Sequence, residues 1–285
     1  MAPDESDALI HITITSVVCS SAAILTTLYR LYIRRSRLWT DDACAIVSTC
    51  IVLLQVASVL LHAKSDDIKR STRIAAYYVI VVTFYAIIWS ARLSILFSIM
   101  RIDPNGMRHR FLLGIALLFF VACLILIAQL FWVCERAPLW KDKATPQCPL
   151  SWQVVIFQLI SDVLSDTLLI VVPLQLFWHL EDNCLRRRLC VIFSTCIITT
   201  IVSLVHAVLI LTRGGPKVLV AAVVEDCISL IVCNIPIVVT ASIHLCGSGA
   251  PPSPIASSFR FASDSQPTPE PLTMVVGPRI SIRLL

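Results

Sequence analysis

Long apolar blocks separated by short charged segments run through this chain. Seven stand out, at about residues 8–33, 42–62, 74–100, 111–133, 151–178, 189–212 and 218–245. Each is long enough to cross a hydrocarbon layer, which takes roughly 20 apolar residues as a helix. Lipid offers no water to backbone N–H and C=O groups, so each block is predicted to be helical. The links are short, the longest running from Cys134 to Leu150. Short links make successive helices antiparallel. The pattern predicts an all-α membrane protein: a seven-transmembrane helix bundle over residues 8–245, preceded by a stub at 1–7. From 246 to 285 the apolar periodicity stops and Pro and Ser accumulate (Pro251, Pro252, Ser253, Pro254, Ser257, Ser258). That composition predicts a disordered tail.

Composition agrees. The chain of 285 residues is 57% hydrophobic and only 14% charged, where a soluble domain carries about 25% charged residues. The net charge of +5 does not point to nucleic acid, because the basic residues sit mainly in the links, where they set topology and meet lipid headgroups. Membrane lipid is therefore an expected partner, and nucleic acid is not.

Orientation follows from Lys and Arg placement. The stub has Asp4, Glu5 and Asp7 and no basic residue, whereas Arg30, Arg34, Arg35 and Arg37 close the first block. The N-terminus is expected outside and the C-terminus in the cytoplasm. Over the whole chain the links on the two sides carry ten and nine basic residues, so the first helix and the cysteines decide the matter. Most of the twelve Cys lie in or beside helices, where a thiol behaves as a small apolar group. Cys134 and Cys148 bracket the fourth link, which is outside in this orientation, on the oxidising side where disulfides persist. A disulfide is expected there; the alternative is two interfacial thiols. No metal site is expected, since the link has no His or third Cys.

Charged residues inside the spans are costly and usually face the bundle interior. Arg92, Asp162, Asp166, Glu225 and Asp226 qualify, with His206 as a neutralisable partner. Asp162 and Asp166 share one helix face at i, i+4. Counted from the outer helix ends, Glu225 and His206 lie about 10 Å deep, Asp162 about 16 Å, Asp166 about 22 Å and Arg92 about 27 Å. These depths predict an Arg92–Asp166 pair and a His206–Glu225 pair, and leave Asp162 with no cation at its level. Two readings fit: a ligand, ion or proton site at the bundle centre, or polar groups that join helices. Asp41 and Asp42 open the second helix and read as N-terminal caps. Arg186, Arg187 and Arg188 read as a headgroup anchor in the fifth link.

In order and spacing these features resemble the fungal seven-transmembrane rhodopsin-domain integral membrane proteins, a group that includes receptor-like proteins. The pieces are Asp41-Asp42; Trp89-x-x-Arg92-Leu-Ser-Ile-Leu-Phe97 leading to Arg101-Ile102; Cys134, Trp140 and Cys148; Asp166-x-Leu-Leu-Ile through Pro173 to Trp178-x-Leu180; and Glu225 followed by Pro236. Arg92 departs from the Lys frequent there, and His206 stands near a usual Arg position. With only a short stub ahead of the first helix, the cysteine-rich domain of some members is not expected.

The resemblance implies a receptor-like protein, expected in the plasma membrane, with a small-molecule ligand and a cytoplasmic signalling partner. The alternative is a small-solute or proton/ion transporter using the intramembrane carboxylates. No catalytic motif of the Gly-x-Ser-x-Gly or His-Glu-x-x-His kind is present, so an enzyme is not expected. No cofactor is expected either. A retinal Schiff base needs a mid-span lysine, and the last block has none, Lys217 lying at its edge.

Overall fold

The computed structural model describes residues 3–35, 39–63, 69–101, 106–136, 138–142, 146–177, 183–212 and 216–247. Seven helices occupy them: α1 Pro3–Arg34, α2 Thr40–Ala63, α3 Arg70–Met100, α4 Gly106–Arg136, α5 Trp152–Phe177, α6 Asn183–Leu211 and α7 Pro216–Gly247. A short 3-10 helix, Pro138–Asp142, sits between α4 and α5. All seven long helices are long and apolar enough to cross a membrane.

Several ends run beyond the apolar blocks. α1 begins at Pro3, so most of the expected stub is helical, and α6 begins at Asn183, which puts Arg186–Arg188 inside a helix rather than in a link. Hydropathy marks where a helix meets lipid, not where its hydrogen bonding stops, so interfacial turns escape it. The expected tail, apart from Cys246 and Gly247 at the end of α7, lies outside the described residues, as do Trp178 and Leu180.

α3 is the central helix. Two-thirds of its most apolar stretch is buried, against 28% for α1 and α4. One side of α4 is an apolar surface carrying Phe111, Leu117, Leu118, Phe120, Leu124 and Trp132. In water such a face would be unstable; lipid is the solvent that suits it. The opposite side packs Phe119 edge-on against Trp89 of α3, with ring centres 5.6 Å apart.

Many hydroxyl side chains in the spans are satisfied locally, although Ser16 Oγ is buried without a hydrogen-bond partner. Thr27, Ser48, Ser58, Thr83, Ser161 and Thr167 each donate to the carbonyl four residues back, the usual solution where no water competes. Helices are also joined by polar pairs, such as Ser48 with Ser90 at 2.7 Å between α2 and α3.

The link between α4 and α5 is fixed to α3. Cys134 and Cys148 form a disulfide with Cα atoms 5.6 Å apart. Within it Trp140 is buried, donates its Nε1–H to the Cys134 carbonyl at 3.0 Å and packs on Tyr77 and Tyr78. Lys141 Nζ meets Glu135 at 2.8 Å, and Glu135 also accepts from the Tyr78 hydroxyl at 2.5 Å. Arg70 donates twice to the Lys141 carbonyl. Closing a loop of this length restricts the unfolded chain by roughly 3 kcal/mol in the chain-entropy account. Cys148→Ser is therefore expected to lower the unfolding temperature in detergent by an amount that dithiothreitol reproduces in the parent chain. An unfolding temperature unmoved by either treatment counts against the bridge.

Candidate functional site

The polar interior is built on α3, α5, α6 and α7. Arg92 of α3 is 5% exposed. Its Nε donates to Asp166 Oδ1 at 3.1 Å and its Nη1 to Asp162 Oδ1 at 2.7 Å. The ring of Trp89, one turn earlier on α3, lies 5.3 Å beneath the guanidinium, a cation–π contact. Asp162 and Asp166 stand one turn apart on α5, so one planar guanidinium spans both. Asp166 has further donors on α6: the hydroxyls of Thr200 at 2.9 Å and Thr199 at 3.2 Å reach its Oδ2.

One turn along α6 a second set begins. Ser203 donates to Glu225 Oε1, and His206 Nδ1 lies 2.6 Å from Glu225 Oε2. Phe84 of α3 meets the His206 ring edge-on at 5.2 Å. Tyr85 reaches across to Gln158 of α5 at 3.1 Å. The hydroxyl face of α6 thus joins the two sets, with Asp166 on one side and Glu225 on the other. On α7, Asp226 is fully buried and accepts from Gln55 of α2.

The two predicted pairs, Arg92–Asp166 and His206–Glu225, are present. The expectation that Asp162 lacks a cation is corrected: it makes the shorter of Arg92's two bonds. The estimated depths failed because α3 extends beyond α5 at the disulfide end. Its first turns carry Tyr77 and Tyr78 up to Trp140, so distances counted from the two helix starts have different origins. Asp162 Oδ2 and Asp226 Oδ1 are buried without a hydrogen-bond partner. Among the described residues no three His, Cys, Asp or Glu side chains converge on a metal position.

Between these helices lies a small cavity lined by Arg92, Asp166, Thr199, Cys196, Ser229 and apolar side chains of α3, α5 and α7. It has room for about one water molecule.

A second polar cluster, at the end of the bundle away from the disulfide, was not read from the sequence as a site. Arg30 of α1 is fully buried. It pairs with Asp42 at 3.0 Å and Asp41 at 3.1 Å, and its Nη1 also donates to Ser94. Arg34, at the edge, reaches both carboxylates. Asp42 caps α2 as expected, accepting from the Trp39 N–H at 3.2 Å, but capping is only part of its role. The signal was available: Arg30 falls inside the first apolar block, where a charge demands a partner.

Order and spacing of these groups bear on ancestry. Residues 25–244 match the family described as the fungal rhodopsin domain. The chain belongs to the fungal rhodopsin-domain family. It is a multi-pass membrane protein, and the matched region takes in every group just described, from Arg30 to Ser229. No curated protein matches it significantly, and no solved structure does.

Proposed function

We propose that this fungal rhodopsin-domain protein is a receptor-like sensor. In this reading its N-terminus and disulfide link face outside, its C-terminus lies in the cytoplasm, and it resides in the plasma membrane. The observation that carries the reading is the bond set of Asp166, which ties α5 to Arg92 of α3 and to Thr199 and Thr200 of α6. A buried group held from two neighbouring helices registers any shift of one against the other. The cavity beside it is too small for an organic ligand, so binding requires α6 and α7 to move apart, which is the change a sensor transmits. The ligand is a small molecule entering the disulfide-side half of the bundle. A cytoplasmic partner reads the shift at the other end.

The test uses purified protein in lipid nanodiscs and a panel of small organic acids, amines and sugars, with thermal unfolding as the readout. A ligand held at about 100 times its Kd adds about 2.7 kcal/mol, and Asp166→Asn is expected to abolish that gain. Stabilisation that persists unchanged in Asp166→Asn contradicts the site assignment.

Retinal is not the ligand in this reading, because the only lysine of α7 is Lys217, its second residue. Added all-trans-retinal is expected to leave the absorption spectrum as the sum of its parts.

A second reading, proton or ion transport, has one observation in its favour. Among the described residues, four buried carboxylates, Asp162, Asp166, Glu225 and Asp226, share this part of the interior with one arginine, Arg92, and one histidine, His206.

A further inference from the structure

We propose that the Arg30–Asp41–Asp42 cluster is a latch that grips α7 at Cys233 and Asn234 and controls whether residues 236–239 are docked. The proposal does not depend on the receptor reading.

The cluster gathers four helices. Arg30 comes from α1, Asp41 and Asp42 from the start of α2, Ser94 and Ser98 from α3, and Cys233 and Asn234 from α7. Ser94 donates to the Asp41 carbonyl at 3.0 Å and Ser98 to its Oδ2 at 2.9 Å. Arg30 uses Nε and Nη2 on the two carboxylates and turns Nη1 toward α7, donating to the Cys233 carbonyl at 3.2 Å and Asn234 Oδ1 at 3.3 Å. Asn234 answers with its own amide, donating to Thr27 at 2.9 Å and Thr26 at 3.3 Å on α1.

Strength is unevenly distributed. Toward α2 the guanidinium meets two carboxylates at 3.0 and 3.1 Å, so the attraction of opposite charges adds to the hydrogen bonds. Toward α7 it meets neutral oxygens at longer range. When the cluster gives, it gives at α7. Two residues after Asn234, Pro236 has no N–H, so the helix lacks the bond that would close on the Val232 carbonyl. A bend there costs less than elsewhere in α7. Grip and weak point are thus adjacent. Asp41 Oδ1 is buried without a hydrogen-bond partner, so the cluster holds a spare acceptor for a second arrangement of its two arginines.

The reporter is built in. Cys233 is buried in the grip, and Cys227, buried to the same extent, lies six residues earlier against Ser20. Two variants weaken the grip. Asn234→Ala removes the side-chain part of the grip, the contacts with Arg30, Thr26 and Thr27, while the Cys233 carbonyl and every ion pair remain. Arg30→Lys keeps the charge but cannot make the forked contacts.

Membranes bearing each full-length variant are treated with N-ethylmaleimide, and modification of Cys233 and Cys227 is followed by mass spectrometry. The alkylation rate of Cys233 is expected to rise about tenfold or more in both variants, as local opening becomes easier. The rate at Cys227 should stay within about twofold of the parent, since the rest of the bundle remains closed. Cys233 as protected in both variants as in the parent overturns the latch. So does an equal rise at Cys227 in both, because the bundle is then loosened throughout rather than unlatched.

Discussion

Arg92→Leu is expected to destabilise the protein by about 3–5 kcal/mol, the usual cost of removing one partner from a buried ionic set. The substitution strands Asp162 and Asp166 together in the bundle, one turn apart and both nearly inaccessible. Asp166 keeps its two threonine donors, but among the described residues Asp162 has no other hydrogen-bonded partner for Oδ1 and none for Oδ2. Adding Asp162→Asn and Asp166→Asn should recover most of the loss, because neutral amides need no counter-charge. Helix–helix polar contacts in membranes average only about 0.6 kcal/mol, so a loss several times larger in the single variant, repaired in the triple, identifies charge compensation as the cause. Unfolding by denaturant in nanodiscs measures both. Equal stability of parent and single variant contradicts the assignment.

The pair Asp41→Asn and Asp42→Asn should cost a similar amount, about 3–5 kcal/mol. Here the stranded charge is Arg30, which is fully buried. Arg34 is 21% exposed at its side chain and can turn to solvent and headgroups, so its share is small. Adding Arg30→Met to the double variant is expected to restore most of the stability by removing the stranded charge. If Asp41 and Asp42 acted only as caps, the double variant would lose little, because Asn caps a helix about as well as Asp and only the charge–dipole attraction is lost, and Arg30→Met would restore nothing. The size of the loss and the direction of the third change therefore separate the two roles.

The seven spans were legible because lipid imposes a long, simple pattern. The Arg92–Asp166 and His206–Glu225 pairs were legible because helical rise converts sequence position into depth. That conversion fails when one helix projects past its neighbour, and α3 does so beneath Trp140. It therefore missed the second bond of Arg92, to Asp162. Arg30 was hidden differently. It lies four residues before Arg34 and merges with the run that sets topology, yet α1 keeps it inside the bundle. Gln55 carries no formal charge and drew no attention in its apolar block, although it is the partner of Asp226. The threonines of α6 look like ordinary span residues. Their role appears only when α5 is beside them.

The receptor reading turns on whether the buried carboxylates hold helices in register or carry charge across the membrane. The most direct measurement is proton flux into proteoliposomes loaded with a pH-sensitive dye, under an imposed pH gradient and with potassium and valinomycin to dissipate any membrane potential. The account predicts that wild-type protein and Asp166→Asn acidify the lumen no faster than protein-free liposomes. Rapid acidification by the wild type that Asp166→Asn abolishes would contradict it and establish a proton pathway instead.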